Sequence, residues 1–427
     1  VDERVFGATR RTVVHAVAVA DASTPGSAGT SAVVRGYPAA MQTIHPLRLG
    51  MVGGGPGAFI GAVHRTAALM DGEFELVAGA FSSDPAKSRE RAAQWGVEPS
   101  RAYGSWRELL ANEAQLPADR RIDAVAIVTP NHLHHEVAIA ALRAGFAVAC
   151  DKPLTTSSER AEEIAAVQAE TGRLFLLTHN YTAYPLVREA RAMVTSGALG
   201  ELRKVDVEYL QGWLATPLEH SGQKQADWRT DPARSGPGGA LGDIGTHAFN
   251  LAEFVTGRNV TRLFGVRRSF VAGRRVDDDA SALLEFEGGA DGQLRCSQVC
   301  VGKENSLTIR VFGTLGGLEW RQEHPNDLVV YSASGASITK RTGNGYLGAE
   351  AKAVTRTPAG HPEGYLEAFA NLYREFATAI RAQRLAPRGA ASALPSHVPS
   401  ITSGVRGVRF IECVIASSES SRWVEFA

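Results

Sequence analysis

Leu47-Arg48-Leu49-Gly50-Met51-Val52 runs directly into Gly53-Gly54-Gly55-Pro56-Gly57-Ala58-Phe59-Ile60-Gly61. An apolar strand, a glycine-dense turn and a helix-forming segment, here Gly61 to Met70, occur in the order that lets a backbone approach a pyrophosphate and aim helix N–H groups at it. Gly53-x-Gly55 opens the turn with the usual spacing, while the third glycine is replaced by Ala58 or displaced to Gly61. Such a turn alone is weak evidence, and a ligand-free structural turn is its bland reading. Its place between strand and helix makes Gly53, Gly55, Gly57, Phe59 and Ile60 candidates for holding a dinucleotide.

Downstream, Phe74 to Phe81 reads as a second strand and Asp84 to Trp95 as a charged helix. Ile122 to Thr129 is a continuous apolar run, as expected for a strand buried on both faces of a parallel sheet. His135 to Ala144 reads as a helix ended by Gly145, and Phe146 to Cys150 and Leu174 to Thr178 as further strands. This alternation predicts an α/β doubly wound parallel sheet. After about Thr182 the rhythm changes. Val205 to Tyr209, Thr261 to Arg267, Ser281 to Phe286, Gln293 to Val301, Ser306 to Phe312 and Gly317 to Trp320 read as strands with few helices between them. They predict an α+β domain with a large, mostly antiparallel open sheet. Gly364 to Ala382 and Gly407 to Ser418 read as amphipathic helices separated by a Pro/Ala/Ser-rich loop. The predicted organisation is an extension over residues 1–45, a dinucleotide-binding domain over 46–180 and a substrate and assembly domain over 181–427.

A chain of 427 residues is long enough for two cores plus an extension. Its 45 basic and 45 acidic side chains balance, which gives no reason to expect nucleic acid or an acidic membrane as partner. No apolar stretch approaches membrane-spanning length. The four cysteines are scattered; Cys296 and Cys300 would share one strand face, and the set reads as free thiols in a reducing, cytoplasmic setting rather than as a metal site. Thr9-Arg10-Arg11-Thr12-Val13-Val14 resembles a twin-arginine export signal, but the apolar run behind it is short and interrupted by His15. Residues 1–40 are therefore expected to be a disordered tail or upstream read-through ahead of Met41.

Three chemically capable side chains stand out. Lys152, in Asp151-Lys152-Pro153, follows a parallel strand at the sheet edge where open α/β sheets bind ligands. An ammonium there can polarise a carbonyl or hold a substrate hydroxyl. In Gly242-Asp243-Ile244-Gly245-Thr246-His247, the acid and the imidazole are four apart and would share a face at a helix start. His247 suits the removal of a hydroxyl proton near neutral pH, with Asp243 orienting it or touching the substrate. The pair could form half a metal site, but no third ligand is evident and no metal is expected. At the end of the second strand, Ser82 stands where an acid would bind a ribose 2′-hydroxyl and repel a 2′-phosphate. Ser82 and Ser83 can donate to a phosphate, and Lys87 and Arg89 follow. The reading accordingly leans to NADP over NAD, with Asp84 as the ribose acid if the turn is shifted.

With these pieces in place the chain resembles the glucose–fructose oxidoreductase, inositol dehydrogenase and rhizopine-catabolism family (Gfo/Idh/MocA). The resemblance is carried by the glycine turn with Gly61-Ala62-Val63-His64, by Thr129-Pro130-Asn131-His132-Leu133-His134, by Asp151-Lys152-Pro153 and by Asp243-Ile244-Gly245-Thr246-His247. Trp228-Arg229-Thr230-Asp231-Pro232 with Gly238-Gly239, and Asp278-Asp279-Ala280, are also similar. The resemblance implies a Rossmann domain followed by an α+β domain. It implies NAD(P)-dependent oxidation of a secondary hydroxyl on a sugar or cyclitol, or the reverse reduction. Lys152, Asp243 and His247 would be catalytic, Thr129, Pro130, Asn131, His134, Asp151 and Lys152 itself would lie near the cofactor, and Trp228 and Arg229 near the substrate. This chain departs from the family in its lengthened turn, in Ser82, and in lacking the common arginine within Asn180-Tyr181-Thr182-Ala183-Tyr184-Pro185, where Asn180 and Tyr181 become the candidate substrate contacts. His361, in Gly360-His361-Pro362-Glu363-Gly364-Tyr365, would either line the substrate mouth or belong to a helix cap.

Two other readings compete with a dehydrogenase: a redox-neutral epimerase or eliminase holding its cofactor tightly, and a cofactor-binding regulator without catalysis. Retention of Lys152, Asp243 and His247 speaks against the regulator. Apolar residues in Leu294 to Val301 and Leu307 to Phe312 fall at positions on both sheet faces, which predicts a homodimer or homotetramer joined through the second sheet.

Overall fold

The computed structural model describes residues 45–387 and 393–426; the extension expected ahead of the first strand lies outside the described residues up to Ile44. The first layer alternates β1 (Leu47–Gly53), α1 (Phe59–Met70), β2 (Phe74–Ala80), α2 (Pro85–Gln94), α3 (Trp106–Gln115), β3 (Ala124–Val128), α4 (His134–Arg143), β4 (Ala147–Cys150), α5 (Ser158–Thr171) and β5 (Phe175–Leu177). All five strands are parallel, in the order β2-β1-β3-β4-β5. The chain leaves β1 toward β2 and then crosses to β3, so the crevice at the carboxyl ends of β1 and β3 is the switch point where such sheets bind ligands. Every residue of β3 and β4 is buried, as strands covered by helices on both faces require. Helices begin where the sequence supplies a cap: the Asp84 carboxylate accepts from the Ala86 backbone N–H, Ser105 caps α3 and Ser157 caps α5. Helices α3 and α5 were not evident in the sequence, because their charged faces dilute the apolar period.

The second layer contains α6 (Pro185–Thr195), β6 (Leu202–Leu210), α7 (Lys224–Arg229), α8 (Pro232–Ser235), a π turn over Leu241–Gly245 and α9 (Thr246–Thr256). Then follow β7 (Val260–Arg268), β8 (Asp279–Phe286), β9 (Asp291–Ser297), β10 (Ser306–Gly313), β11 (Gly316–Arg321), β12 (Asp327–Ser332) and β13 (Ile338–Arg341). Helices α10 (Ala349–Ala353), α11 (Tyr365–Leu385) and α12 (Ile401–Ser420) and the short β14 (Val424–Glu425) complete the described chain. The nine-stranded sheet runs β13-β12-β11-β10-β6-β9-β8-β7-β14, with β6 and β9 parallel and every other pairing antiparallel. Its inner face, including Val205, Val207, Leu294, Leu307 and Ile309, packs on α6 and α9 through Leu186, Val187, Phe249 and Leu251. No helix among the described residues is long and apolar enough to cross a membrane.

Two sequence expectations are corrected here. β9 ends at Ser297, so Cys300 lies in the following turn and shares no strand face with the buried Cys296. In β9 the apolar side chains are also confined to one face: Leu294 and Cys296 are buried while Gln293 and Arg295 are exposed. In β10 only Phe312 is apolar and turned to the outer face. In these two strands the apolar residues therefore gather on the inner face, with Phe312 the exception.

Packing does not follow chain order. Phe369, Tyr373 and Phe376 of α11 join the core built on β1 and α1, where Phe74 meets the Tyr373 ring edge-on. The C-terminal part of the chain thus returns to cover the sheet that carries the glycine turn.

Candidate active site

One cavity of about 1170 Å³ runs from the glycine turn, past the ends of β2, β3 and β4, to the π turn and β6. Its first half is shaped by backbone. Gly53 and Gly54 hold φ of +96° and +83°, which side-chain-bearing residues rarely adopt, and a Cβ on Gly53 would lie 2.7 Å from the Val128 carbonyl oxygen. A Cβ on Gly61 would fall 2.3 Å from the Cα of Gly54. The close strand–helix approach usually served by a third glycine is thus served by Gly61, three residues late. No side chain caps α1 and its first turn carries no acid, which leaves its N–H groups open to an anion. This open cradle, an uncapped helix and a long cavity fit a dinucleotide.

Of the predicted cofactor residues, Gly53, Gly55, Phe59, Ile60, Ser82, Ser83, Lys87, Thr129, Pro130, Asn131, Asp151 and Lys152 line the cavity. Gly57 and His134 do not. Gly57 is an exposed turn residue at φ +75°, its carbonyl 3.4 Å from Gln225 Nε2. His134 is fully buried and bridges two backbone carbonyls, Thr129 O and Pro153 O, each 2.9 Å from a ring nitrogen. It braces the loops after β3 and β4 and is absent from the cavity wall. Asp84 lines the mouth but its carboxylate is engaged at the α2 N-terminus, whose N–H groups hold it below the usual range.

At the far end, Lys152 Nζ donates to Asp243 twice, to its carbonyl oxygen at 2.5 Å and to Oδ1 at 3.1 Å. Arg229 Nε at 3.2 Å and Gln298 Nε2 at 2.9 Å both donate to Asp243 Oδ2. Burial works against the Asp243 charge, but Arg229 and Lys152 outweigh it and hold this carboxyl far below its ordinary range. The neighbouring Asp151 accepts from Thr178 Oγ1 at 3.2 Å and lies 3.9 Å from His64 Nε2. Burial raises its pKa, yet His64 and Lys152 bring it down to about 2.

His247 lies on the first turn of α9, following the π turn that carries Asp243. The two residues are brought to one cavity, but the acid does not orient the imidazole. Instead His247 Nδ1 faces His179 Nδ1 at 3.4 Å, with the rings nearly perpendicular. Burial, then the charge of Lys152, depresses His247 well below an ordinary histidine, so it is neutral near pH 7.

Tyr181, Trp228 and Arg229 line this end as expected, with the Arg229 guanidinium over the Trp228 ring at 4.2 Å. Asn180 is buried at the head of its 3-10 turn and does not reach the cavity wall. His361 is also displaced from the site: it sits exposed in a turn, its Nδ1 near Pro358 O, while Gly364 N–H donates to Glu367 Oε2 at the start of α11. The segment is a helix cap, and only its neighbour Tyr365 reaches the cavity. Sequence reasoning missed Tyr209, Gln211, Gln298, Asn305 and His179. Tyr209 Oη and Tyr181 Oη are 2.6 Å apart, and Asn305 bridges Tyr209 and Gln211. Tyr209 lies within β6, and Gln211, Gln298 and Asn305 stand just beyond strand ends, none of them in a motif, whereas the place of His179 directly after β5, at the ligand edge, was a signal that could have found it.

The comparisons agree with this geometry. The signature described as "Oxidoreductase family, NAD-binding Rossmann fold" matches residues 47–179, and that of the GFO/IDH/MocA C-terminal domain matches residues 187–319. An inositol dehydrogenase homolog from Azotobacter vinelandii, in complex with NAD+, superposes with TM-score 0.84 at 39% identity over 90% of this chain and 98% of its own. Its complex with NADH and myo-inositol gives 0.81 at 38% identity, with the same coverage of both chains. The uncharacterized oxidoreductase YfiI of Bacillus subtilis (strain 168) is 35% identical over 386 residues, 89% of this chain and 97% of the relative. With strand, glycine turn, lysine, aspartate and histidine all converging on one cavity, the chain belongs to the Gfo/Idh/MocA family of NAD-binding oxidoreductases.

Proposed function

We propose that this oxidoreductase interconverts a secondary hydroxyl and a ketone on an uncharged cyclitol or sugar, using NAD(H). The observation that carries the reading is the meeting of Lys152, Asp243 and His247 in the cavity that starts at the glycine turn. A nicotinamide dinucleotide held by Gly53–Gly55, the first turn of α1 and Thr129–Asn131 would supply the hydride acceptor. His247, neutral and with Nδ1 turned away toward His179, presents its other ring edge to the cavity and takes the hydroxyl proton. Lys152, fixed by two bonds to Asp243, stabilises the oxygen as its negative charge develops. Asp243 holds Lys152 and Arg229 in place.

Around them, two cations (Lys152, Arg229) stand beside two carboxylates (Asp151, Asp243), a balance that suits an uncharged substrate. The hydroxyl and amide heads of Tyr181, Tyr209, Gln211, Asn305 and Gln298 can exchange hydrogen bonds with a ring of hydroxyls. Binding of myo-inositol by the Azotobacter vinelandii relative supports a cyclitol.

NAD is favoured over NADP because the cations lining the cavity near α2 already face acids: Lys87 lies 3.8 Å from Asp84, and Arg107 lies 3.1 Å from Glu136. A 2′-phosphate would find those charges occupied and the Asp84 carboxylate beside it. The relative's complexes with NAD+ and NADH support the same choice. The test is a panel of cyclitols and sugars, with NAD+ and NADP+ in parallel, followed by nicotinamide absorbance. NADH formation with a neutral cyclitol or sugar is expected. Turnover confined to sugar acids or phosphates, or to NADP+, would sink the reading.

A further inference from the structure

We propose that His179 sets the tautomer of His247: its Nδ1 accepts a hydrogen bond from the His247 Nδ1–H, which leaves the His247 Nε2 lone pair free to take a proton from the cavity. This rests on the reading of His247 as the proton acceptor. The two Nδ1 atoms lie 3.4 Å apart, with ring centroids at 5.2 Å and planes at 83°. A neutral imidazole carries one N–H, so two imidazoles meeting nitrogen to nitrogen have two stable arrangements, one donor and one acceptor in each. If His179 donated, the His247 proton would sit on Nε2, the edge turned to the cavity, and His247 could take no proton there. Only the arrangement with His179 as acceptor gives a base at the cavity.

The polar groups of the cavity wall around His247 are engaged elsewhere. Lys152, from the loop after β4, is bonded to Asp243. Asp243, one turn before His247, is taken up by Lys152, Arg229 and Gln298. Tyr181, after β5, and Tyr209, on β6, both pack on the His247 ring, with centroids at 4.8 and 6.2 Å. Their hydroxyls are committed to each other and to Asn305. His179 itself is almost completely buried. Burial and then Lys152 push its pKa down to about 3, so it stays neutral and remains an acceptor across the working range. When His247 gains the substrate proton, its Nδ1–H becomes a charged donor and the bond to His179 strengthens. His179 is thus a positioning residue, acting through His247.

The experiment uses the full chain and two readouts. Nitrogen-15 NMR of the histidine rings near neutral pH, without substrate, should show His247 protonated at Nδ1 in the wild type. With NAD+ and myo-inositol as the probe pair, His179→Leu should lower kcat by about 100-fold, within the range of general-base contributions, while KM and NAD+ affinity stay within about threefold. His179→Asn, whose side-chain carbonyl can accept the same hydrogen bond, should recover most of kcat. An Nε2-protonated His247 in the wild type overturns the proposal, as does an unimpaired kcat in the leucine variant. If that variant does not fold, the asparagine variant and the wild-type spectrum decide. The parent reading fails separately: an active His247→Ala enzyme would remove His247 as the proton acceptor, whatever its tautomer.

Discussion

Asp243 is a carboxylate that three donors keep ionised at the base of the cavity, and on the proposed reading it holds Lys152 still. The ammonium then acts mainly on charge that appears in the transition state. Lys152→Ala should therefore lower kcat by about three orders of magnitude, comparable with removal of an oxyanion-stabilising donor, while NAD+ titration gives nearly wild-type affinity. Near-normal turnover in this variant would remove the lysine from the chemistry. Lys152, Asp243 and His247 were legible in the sequence because each stands at the end of a recognisable run. The link between them was not: a spacing of four suggested that Asp243 orients His247, and only the π turn reveals that the acid faces the lysine. His179 also carries a stability signature. Its folded pKa is depressed to about 3, so the stability it contributes is present above an unfolded pKa of about 6.5 and is lost as pH falls toward 3. Relative to His179→Asn, which cannot titrate, the wild type should lose about 1.4 kcal/mol per pH unit below about 6.5. Urea denaturation of both proteins at pH 7 and pH 5 checks this, and parallel pH profiles would show that His179 is solvated and titrates normally.

Elements were read well where one physical demand dominates. The buried parallel strands are uninterrupted apolar runs, and the glycine turn announces itself by composition. Elements whose faces serve two masters were harder: α3 and α5 carry charged outer faces, and α11 gave its amphipathic period without revealing that Phe369, Tyr373 and Phe376 pack against the first sheet rather than the second. The same ambiguity left a helix cap and a substrate contact as equal readings of the segment that holds His361 and Gly364. The register of β1 and α1 offers a sharper test. An alanine at a helix interior normally stabilises by about 1 kcal/mol relative to glycine. At Gly61 its Cβ would lie 2.3 Å from the Gly54 Cα, a backbone atom that cannot swing aside. Gly61→Ala should instead destabilise by about 1–3 kcal/mol through overpacking and should weaken NAD+ binding by displacing the first turn of α1 from the cradle. Thermal denaturation and NAD+ titration measure the two effects. A stabilised variant with unchanged affinity would mean that the late glycine does not close the turn.

At the scale of the molecule, the outer face of the nine-stranded sheet carries a charged band with apolar flanks. Strand register lays Arg295, Glu208, Thr308 and Arg321 in one row across β9, β6, β10 and β11, and Asp206, Arg310 and Glu319 in the next. Opposite charges meet within these rows, Arg310 with Glu319 at 2.7 Å and Arg295 with Glu208, and in the row beyond them, Lys204 with Asp291 at 2.7 Å. The exposed pairs among them, such as Lys204 with Asp291, stabilise a monomer by little and are screened by salt. Apolar side chains flank this charged band instead of filling it, with Leu283 exposed on β8 and the stacked rings of Phe312 and Tyr331 on β10 and β12. A second copy seated here would bury charges that are already paired and would draw its apolar contacts from the two flanks. A homodimer or homotetramer assembled through this face should accordingly depend on the flanks. Phe312→Asp, which replaces an apolar ring of one flank with a carboxylate, should lower the mass in light scattering to that of one chain. The absorbance assay would still register activity, because Phe312 lies outside the cavity wall. A wild-type chain that is already monomeric and active at low concentration would show that the charged band needs only water to cover it.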